Sequence, residues 1–357
     1  MPVPLILDVD TGIDDALALL YACASPEVDL LAVTCVGGNV EARQVADNTR
    51  AVLELAGRAD VPVLLGREQP LLKALETSTE THGPRGLGYA ELREARRPLE
   101  AGYAPARLVE LVRSRPGEIA LVTLGPLTNL AVGLEREPSL PSLLRSFVLM
   151  GGAFRGPGNT TPTSEWNIHV DPHAAKAVFA GWSGATSRDD NRAAGDFVRP
   201  LVMGLDVTEQ ARFQPEHLRR LAVRAGAQPP DADALGREPI EAIGSVAANP
   251  VLRFIVDALR FYFEFHAKYD GFYGAYIHDP FAVAAAIDRS LVRAEPVFVD
   301  VETGSGLAHG MTVADWRGLT RRPANVDVAV EGDAPGFIER FVDRVGGLAA
   351  RRAGVTR

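Results

Sequence analysis

The chain has 357 residues, of which 46 % are hydrophobic, and its formal net charge is −9. This length allows one large domain or two ordinary ones, and the apolar fraction is typical of a globular protein with a buried core. The acidic balance and the lack of a basic stripe argue against binding of nucleic acid through its phosphates. Because the sequence has neither a run of about 18 apolar residues nor a basic-then-apolar leader, we expect no membrane partner and a cytoplasmic location.

Apolar, strand-like segments alternate with helical segments along the first half of the chain. Strands are predicted at 3–9, 30–36, 61–65, 119–124 and 147–150. Helices are predicted from near Asp15, at 41–56, at 104–113, and from the turn at 125–126 to 134. Such alternation indicates βαβ units, and near-continuous apolar strands indicate a sheet covered on both faces. The predicted fold class is therefore α/β: an open, mostly parallel sheet flanked by helices, with a Rossmann-like doubly wound core and the active site at the carboxyl ends of the strands.

The second half of the chain is predicted to contain longer helices and fewer strands. Helices are expected at 250–265, 280–287 and 335–345, and strands at 297–301 and 326–330. The segment 67–103 lacks periodicity and is expected to form a loop over the rim of the sheet. We interpret the whole chain, 1–357, as one domain with a polar surface insertion at about 183–199 and a frayed tail at 349–357.

Four carboxylates lie within eight residues at the first strand-to-helix turn: Asp8, Asp10, Asp14 and Asp15. Like charges this close repel and raise one another's pKa unless something cancels them. A helix N-terminus offers only about half a unit of positive charge, which is too little for four carboxylates. A site for a hard cation, Ca²⁺ or Mg²⁺, resolves this repulsion. The alternative is that Asp14 and Asp15 are ordinary first-turn acids, with Thr11 and Asp14 as a capping pair.

Two later segments carry polar side chains that suit a sugar and a base. Asn159, Glu165 and Asn167 offer donors and acceptors for hydroxyl groups, although a turn that satisfies its own backbone explains them as well. His278 and Asp279 are either a general acid beside a metal ligand or a helix cap with a surface histidine. An aromatic cluster precedes them, which could stack on a flat heterocycle or belong to the core. It comprises Tyr262, His266, Tyr269, Phe272, Tyr273 and Tyr276.

Nine motifs occur along the chain in a characteristic order. They are DVDTGIDDALAL (8–19), GGN (37–39), HGPRGLG (82–88), LGPLTNLA (124–131), LMGGAF (149–154), GNTTPTSEWNIHVDP (158–172), GLDVT (204–208), IHDPFAVA (277–284) and GMTVADWR (310–317). In this order they resemble the motifs of the nucleoside hydrolases, the inosine–uridine-preferring N-ribohydrolases, over nearly the whole chain. The multi-aspartate motif together with HDP is highly specific, whereas a single motif such as GPLTN is not.

The resemblance implies an enzyme that uses calcium to hydrolyse the N-glycosidic bond of ribonucleosides, giving ribose and a free purine or pyrimidine base. One Ca²⁺ per subunit would be held by Asp10, Asp15, Asp279 and the main-chain carbonyl of Leu124. Asp10 would also be the general base that activates a water, and His278 would face the leaving base. The side chains implied to bind substrate are Asp14, Asn39, His82, Met150, Asn159, Glu165, Asn167, His266 and Asp279. Relatives are commonly dimers or tetramers, so a homodimer or homotetramer is expected.

The chain departs from the family's pattern in places, and other functions stay open. DVDTG replaces the commoner D-T/C-D-P-G, and His266 stands where Tyr or Gln often occurs in relatives, so the base preference is open. One alternative is a catalytically inactive homologue that binds calcium and ribose. Another is a Mg²⁺-dependent phosphohydrolase of the haloacid-dehalogenase type, which also begins with a strand ending in D-x-D. Here, however, Thr11 directly follows the second Asp, whereas that family has its Thr or Val two residues after it.

Overall fold

The fold is an eight-stranded α/β sheet with helices on both faces, seen in a computed structural model that describes residues 2–188, 199–229, 244–304 and 306–353. The strands are β1 Val3–Val9, β2 Val28–Cys35, β3 Val63–Leu65, β4 Ala120–Thr123, β5 Ser146–Met150, β6 Leu201–Met203, β7 Arg212–Phe213, β8 Ala275–Tyr276, β9 Val292–Val297, β10 Val299–Val301, β11 Thr312–Ala314 and β12 Val326–Gly332. The main sheet has the order β3-β2-β1-β4-β5-β6-β12-β9, and only β9 runs antiparallel to its neighbour. Two small antiparallel pairs, β10 with β11 and β7 with β8, lie outside it.

The helices connect the parallel strands and complete the molecule. They are α1 Ile13–Ala24, α2 Ala42–Ala56, α3 Thr79–His82, α4 Ala104–Ser114, α5 Thr128–Arg136, α6 Leu140–Leu143, α7 Trp166–Val170, α8 Pro172–Arg188, α9 Leu205–Thr208, α10 Pro215–Arg224, α11 Gly244–Ala247, α12 Pro250–Tyr269, α13 His278–Ile287 and α14 Ala334–Arg352. Within the described ranges, no helix combines the length and the apolar character that crossing a bilayer requires. The predicted α/β fold class is confirmed.

The central strand β1 shows why the sheet is covered on both faces. Its side chains alternate between two cores: Leu5, Leu7 and Val9 belong to one apolar cluster, and Ile6 belongs to the other. Successive side chains of a strand point to opposite faces, so a strand buried on both faces needs apolar residues at nearly every position. Because β1 lies between β2 and β4, the residues that follow it emerge at the middle of the sheet's carboxyl edge.

Three differences from the predicted bounds change how the chain is organised. The helix α8 continues through Arg188, so the first part of the predicted insertion at 183–199 is helical, while 189–198 lie outside the described residues. The prediction of a frayed tail from Ala349 is wrong for 349–352, because α14 extends to Arg352 and buries Ala349 completely. The predicted strand 297–301 is two strands, β9 and β10, which belong to different sheets.

Candidate active site

The first carboxylates are positioned by the turn between β1 and α1. Asp15, the third residue of α1, accepts hydrogen bonds from the backbone N–H groups of Gly12 (2.9 Å) and Asp10 (3.2 Å). These bonds satisfy donors at a helix start, which otherwise have no intrahelical partner. The capping acid is therefore Asp15 rather than Asp14, and it caps the helix while facing other carboxylates.

Three buried carboxylates converge on one point above this turn. Oxygen atoms of Asp14, Asp15 and Asp279 lie within 4.8 Å of one another, and we call these residues the carboxylate triad. Asp14 and Asp15 come from α1, whereas Asp279 comes from the first turn of α13. The structure thus brings the multi-aspartate motif and the HDP motif together, although Asp15 and Asp279 are more than 260 residues apart in the sequence. Asp14, which was predicted to bind ribose, belongs to this group.

Asp10 lies beside the triad in a narrow slot. Its Oδ2 accepts a hydrogen bond from the Asn39 backbone N–H at 2.8 Å, and its Oδ1 is fully buried with no partner among the described residues. A Cβ atom at Gly38 would overlap this carboxylate, and one at Gly125 would lie 2.8 Å from Oδ1. The backbones at the ends of β2 and β4 therefore hold the Asp10 side chain on both sides. A buried polar atom without a partner indicates a site that a ligand or ion completes.

Burial raises the pKa of each of these carboxyl groups in the metal-free protein. The pKa of Asp14 rises to about 8 and that of Asp15 to about 6, in both cases mainly because burial disfavours the charged form. The pKa values of Asp10 and Asp279 are raised well above normal for the same reason, and neighbouring aspartates add repulsion. Behind them, burial raises the pKa of Asp8 to about 7. Buried carboxyl groups packed this closely are stable only when they are protonated or when they share a bound cation.

Asn159, Glu165 and Asn167, which were predicted to bind a sugar, lie on the loop that leads into α7 and on the first turn of α7. Glu165 is the N-cap of α7, and its two oxygens accept from the backbone N–H groups of Asn167, Ile168 and Gly152. Asn167 donates from Nδ2 to the carbonyl oxygens of Leu124 (2.7 Å) and Met150 (3.2 Å). Asn167 thus ties the ends of β4 and β5 together. Its Oδ1 has no such backbone role.

Two neutral histidines lie on the other side of the triad. His82 accepts a hydrogen bond from the Ile13 backbone N–H at Nδ1 (3.1 Å), so its proton is on Nε2. The Nδ1 of His278 lies 2.8 Å from the Thr208 hydroxyl. Burial lowers the pKa of each of these imidazoles to about 3. Both side chains are therefore neutral hydrogen-bonding groups at neutral pH.

A third histidine, His266 of α12, differs because it has a carboxylate partner. Its Nδ1 lies 2.6 Å from Oδ2 of Asp270, and its buried Nε2 has no partner among the described residues. The ring centroid of His266 lies 4.6 Å from that of Tyr262 and 5.0 Å from that of Tyr276. The aromatic cluster predicted from the sequence thus forms part of the wall of the site and does not belong only to the hydrophobic core.

One cavity of about 710 Å³ joins these groups, a size typical of small-molecule sites. Predicted site residues that line it are Asp14, Asn39, His82, Leu124, Met150, Asn159, Glu165, Asn167, His266, His278 and Asp279. Asp10 and Asp15 are fully buried directly beneath it. The structure therefore brings all of the predicted residues to one place, at the carboxyl edge of the sheet.

Sequence reasoning missed several residues that shape this cavity. Gly38 and Gly125 make room for Asp10, Thr208 holds His278, and Asp270 holds His266. Glu209 also lines the cavity, and burial together with the nearby Asp270 charge raises its pKa to about 6. The two glycines could have been found, since both lie in motifs directly after predicted strands. Thr208 closes the GLDVT motif at 204–208, whereas nothing local in the sequence singles out Asp270 or Glu209.

Comparison with known proteins gives a consistent picture. The family model described as inosine-uridine preferring nucleoside hydrolase matches residues 5–339. A pyrimidine-specific ribonucleoside hydrolase RihA from Shewanella sp. (strain ANA-3) is 37 % identical over 342 residues, which cover 95 % of each chain. RihA from Escherichia coli O1:K1 / APEC is 35 % identical over 347 residues, covering 97 % of this chain and 99 % of the relative.

Solved structures are similar over the same extent. A purine-preferring ribonucleoside hydrolase from Gardnerella vaginalis superposes with a TM-score of 0.82 at 29 % identity, covering 98 % of this chain and 99 % of that chain. The plant nucleoside hydrolase PpNRh1 gives a TM-score of 0.79 at 30 % identity, covering 97 % and 99 % of the two chains. Both similarities therefore extend over nearly the whole chain.

Proposed function

Since the chain belongs to the inosine-uridine preferring nucleoside hydrolase family and is a ribonucleoside hydrolase, we propose that it cleaves its substrates with the help of one Ca²⁺ ion. The observation that carries the calcium proposal is the carboxylate triad beside the unpartnered Oδ1 of Asp10. Burial of four acids at one point leaves a deficit of positive charge that no described lysine or arginine of the cavity lining fills.

The residues present fit a hard cation. Calcium takes six to eight oxygen ligands, and the site offers carboxylates of Asp10, Asp15 and Asp279 together with the Leu124 carbonyl. Carboxylate and carbonyl oxygens suit calcium or magnesium better than zinc. Asp14 lies in the same triad, so it either adds a ligand or holds a ribose hydroxyl beside the ion. When bound, the ion would lower the pKa of water at this site.

Asp10 is suited to remove a proton from the attacking water. Its Oδ2 is fixed by the Asn39 N–H, whereas its Oδ1 is left to accept a proton. A general base must lie within hydrogen-bonding distance of the water that it activates, and the slot between the two glycines fixes this position. We therefore assign Asp10 as the general base of the reaction.

The remaining acids stabilise the sugar as its bond to the base breaks. Hydrolysis of a glycosidic bond passes through an oxocarbenium-like transition state, in which positive charge develops on the ribose ring. Asp14, Glu165 and Asp279 place carboxylates along the cavity where that charge would form. Asn159, whose Oδ1 accepts the Trp166 N–H at 3.0 Å, presents its amide group at the mouth of the cavity.

His278 is assigned to the leaving base. The Nδ1 of His278 pairs with the Thr208 hydroxyl, which can donate or accept. In the tautomer whose Nδ1 accepts from that hydroxyl, the imidazole carries its proton on Nε2 and can donate it as a hydrogen bond to the base. The departing base gains negative charge, so such a donor lowers the barrier. The relatives named above differ in base, one being pyrimidine-specific and another purine-preferring, and the proposal includes both classes of nucleoside.

The proposal is tested by ribose release from inosine, adenosine, guanosine, uridine and cytidine, with and without a chelator. We expect turnover of at least one ribonucleoside, its loss with chelator, and its recovery on addition of Ca²⁺. Asp10→Ala should abolish turnover while thermal unfolding remains cooperative. Full activity after exhaustive chelation would refute the calcium proposal, and wild-type turnover by Asp10→Ala would refute the assignment of the base.

The resemblance also implies a homodimer or homotetramer and a cytoplasmic location, and both are part of the proposal. Light scattering of the purified chain measures the first, because a monomer, dimer and tetramer of a 38.2 kDa chain differ clearly in mass. A monomer at micromolar concentration would contradict it.

A further inference from the structure

The cavity contains a second polar group besides the carboxylate triad, formed by Glu209, His266 and Asp270, which we call the acceptor cluster. All three residues line the cavity. Burial and, after it, the charge of the nearby Asp270 raise the pKa of Glu209. Tyr262 and Tyr276 pack against His266, with ring centroids 4.6 and 5.0 Å away. The cluster therefore lies among aromatic rings of the cavity, on which a flat base can stack.

The central member of the cluster, His266, lacks a partner. It is only 4 % exposed, and its Nε2 has no hydrogen bond within the described part of the chain. Since Asp270 can only accept, the proton of a neutral His266 lies on Nδ1, and Nε2 presents a lone pair. Buried polar groups of this kind are almost always hydrogen-bonded, which points to a ligand with an N–H group.

Aromatic contacts fix the orientation of this imidazole. Phe272 stacks on it with centroids 5.5 Å apart and an interplanar angle of 26°, and Tyr276 meets its edge at 82°. The Asp270 bond and these two rings leave the imidazole little freedom to turn its donor side inward. The packing around His266 therefore fixes its Nε2 as a hydrogen-bond acceptor in the wall of the cavity.

The other polar groups of the cluster are acceptors too. Glu209 and Asp270 are carboxylates, and among the described lining residues there is neither a lysine nor an arginine. The guanidinium of Arg212 lies over the rings of Phe272 and Tyr276, 5.0 and 5.6 Å from their centroids. A carbonyl oxygen of a base would thus be repelled by the lone pairs of these acceptors. An amino group of a base would instead donate hydrogen bonds to them.

We propose that the acceptor cluster selects nucleosides whose base carries an exocyclic amino group, so that cytidine is preferred to uridine and adenosine to inosine. The inference rests on the proposed hydrolase function and names the substrates of the same site. Each pair differs at two neighbouring atoms: the amino group is replaced by a carbonyl oxygen, and the ring nitrogen beside it gains an N–H. The exocyclic position carries the selection, because its amino group offers two N–H groups to the cluster where the carbonyl offers none. A hydrogen bond to a charged acceptor changes relative rates by about tenfold to a hundredfold.

The test compares kcat/KM for cytidine against uridine and for adenosine against inosine. We expect the wild-type protein to favour the amino member of at least one pair by about tenfold or more. Glu209→Gln and Asp270→Asn keep the shape of the side chain and add an N–H donor, so each should reduce that ratio at least about threefold. Glu110→Gln, which changes an exposed carboxylate outside the cavity, is the matched control and should keep the ratio.

Hydrolysis of p-nitrophenyl riboside separates this inference from the proposed function. Its leaving group has neither an amino group nor a ring N–H, so kcat/KM for this substrate, measured in each variant, is the reference to which that variant's nucleoside rates are normalised. Equal or better turnover of uridine and inosine by the wild-type protein would overturn the inference while leaving the hydrolase function intact. An unchanged ratio in both folded variants would overturn it as well. Absence of ribose release from every substrate would instead refute the proposed function.

Discussion

The position of the Asp10 carboxylate depends on two neighbouring glycines, which leave room for it, as much as on its hydrogen bond. Gly38 and Gly125 each come so close to it that a single added carbon would displace it or be displaced. Displacement of a reacting group by about 1 Å can cost a hundredfold in rate. The geometry of the general base therefore depends on residues that have no chemistry of their own.

Replacement of Gly125 by Ala tests this dependence. The new Cβ would lie 2.8 Å from Oδ1 of Asp10 in a fully buried slot, so the carboxylate has to move. We expect kcat to fall by about a hundredfold and the free energy of unfolding to fall by about 1–3 kcal/mol. Steady-state kinetics and chemical denaturation measure the two effects.

Gly133→Ala is the matched control. Gly133 lies within α5, and an added Cβ would meet its nearest neighbours at an ordinary 3.8 Å. Because Ala favours a helix over Gly by about 1 kcal/mol, this variant should be as stable as wild type or more so, with unchanged kinetics. If Gly125→Ala behaved like Gly133→Ala, the slot would not position Asp10.

His278→Ala is expected to separate substrates by their leaving groups. A purine or pyrimidine departs more easily when it receives a hydrogen bond or proton, whereas p-nitrophenolate departs without one. We expect kcat/KM for inosine or another good nucleoside to fall by about a hundredfold or more, and that for p-nitrophenyl riboside by less than about tenfold. Similar losses on the two substrates would remove His278 from its assigned role.

The residues of the site were predictable to the degree that they are grouped in motifs. Asp10, Asp14 and Asp15 stand out because four acids in one turn are hard to explain without a ligand. Asp270 does not stand out, since its role depends on a helical turn that brings it beside His266 and on two aromatic contacts. A local stretch of sequence shows where charged residues are concentrated. It does not show the tertiary contacts that determine which polar atoms lack a hydrogen-bond partner.

At the scale of elements, the two long carboxyl-terminal helices are joined by one side chain. Asn249 is the N-cap of α12, and its Oδ1 accepts from the N–H groups of Val251 and Leu252 at 3.0 and 3.2 Å. Its Nδ2 donates to the Ala349 carbonyl of α14 at 2.9 Å. This bond is one reason why α14 remains helical beyond Val345, where the sequence predicted its end.

Asn249→Ala should destabilise the fold without changing the chemistry. Loss of the cap costs about 1 kcal/mol, and the Ala349 carbonyl loses its partner, so we expect a total of about 1–3 kcal/mol in chemical denaturation. Asn249→Asp retains the capping oxygen but not the donor and should fall between Ala and wild type. Equal stability of all three proteins would show that the contact with α14 contributes nothing.

Elements with strong local signals were predicted more accurately than short ones. The bounds of β1 match the prediction at both ends, because its seven residues, six of them buried, form a mostly apolar run. Three-residue β6 was missed, since so short a segment has no period, and its place is set by pairing with β5 and β12. The helix α8 was also missed, and its residues from Ser183 onward were interpreted as part of a polar surface insertion.

At the scale of the whole molecule, the buried carboxylates of the site destabilise the metal-free fold when they are ionised. Asp14 and Asp15 have folded-state pKa values of about 8 and 6, both above the ordinary value of 3.8. A group whose folded pKa is raised binds its proton more tightly in the native state, so its contribution is fully present below about pH 4 and is lost as pH rises through the folded pKa. Between pH 5.5 and 8, the metal-free protein should therefore lose stability from these groups.

Calcium should reverse this trend, because it binds the ionised carboxylates and only the native state assembles them. Ligand at a hundredfold excess over its Kd adds about 2.7 kcal/mol, which corresponds to a rise of a few degrees in Tm. We expect the rise in Tm on adding Ca²⁺ to be small at pH 5.5 and larger at pH 8, measured by scanning calorimetry against a chelated sample. Asp15→Asn, which removes one charge and one ligand of the triad, should reduce the difference at pH 8. A calcium effect that is independent of pH, or equal in Asp15→Asn, would mean that the ion binds elsewhere in the protein.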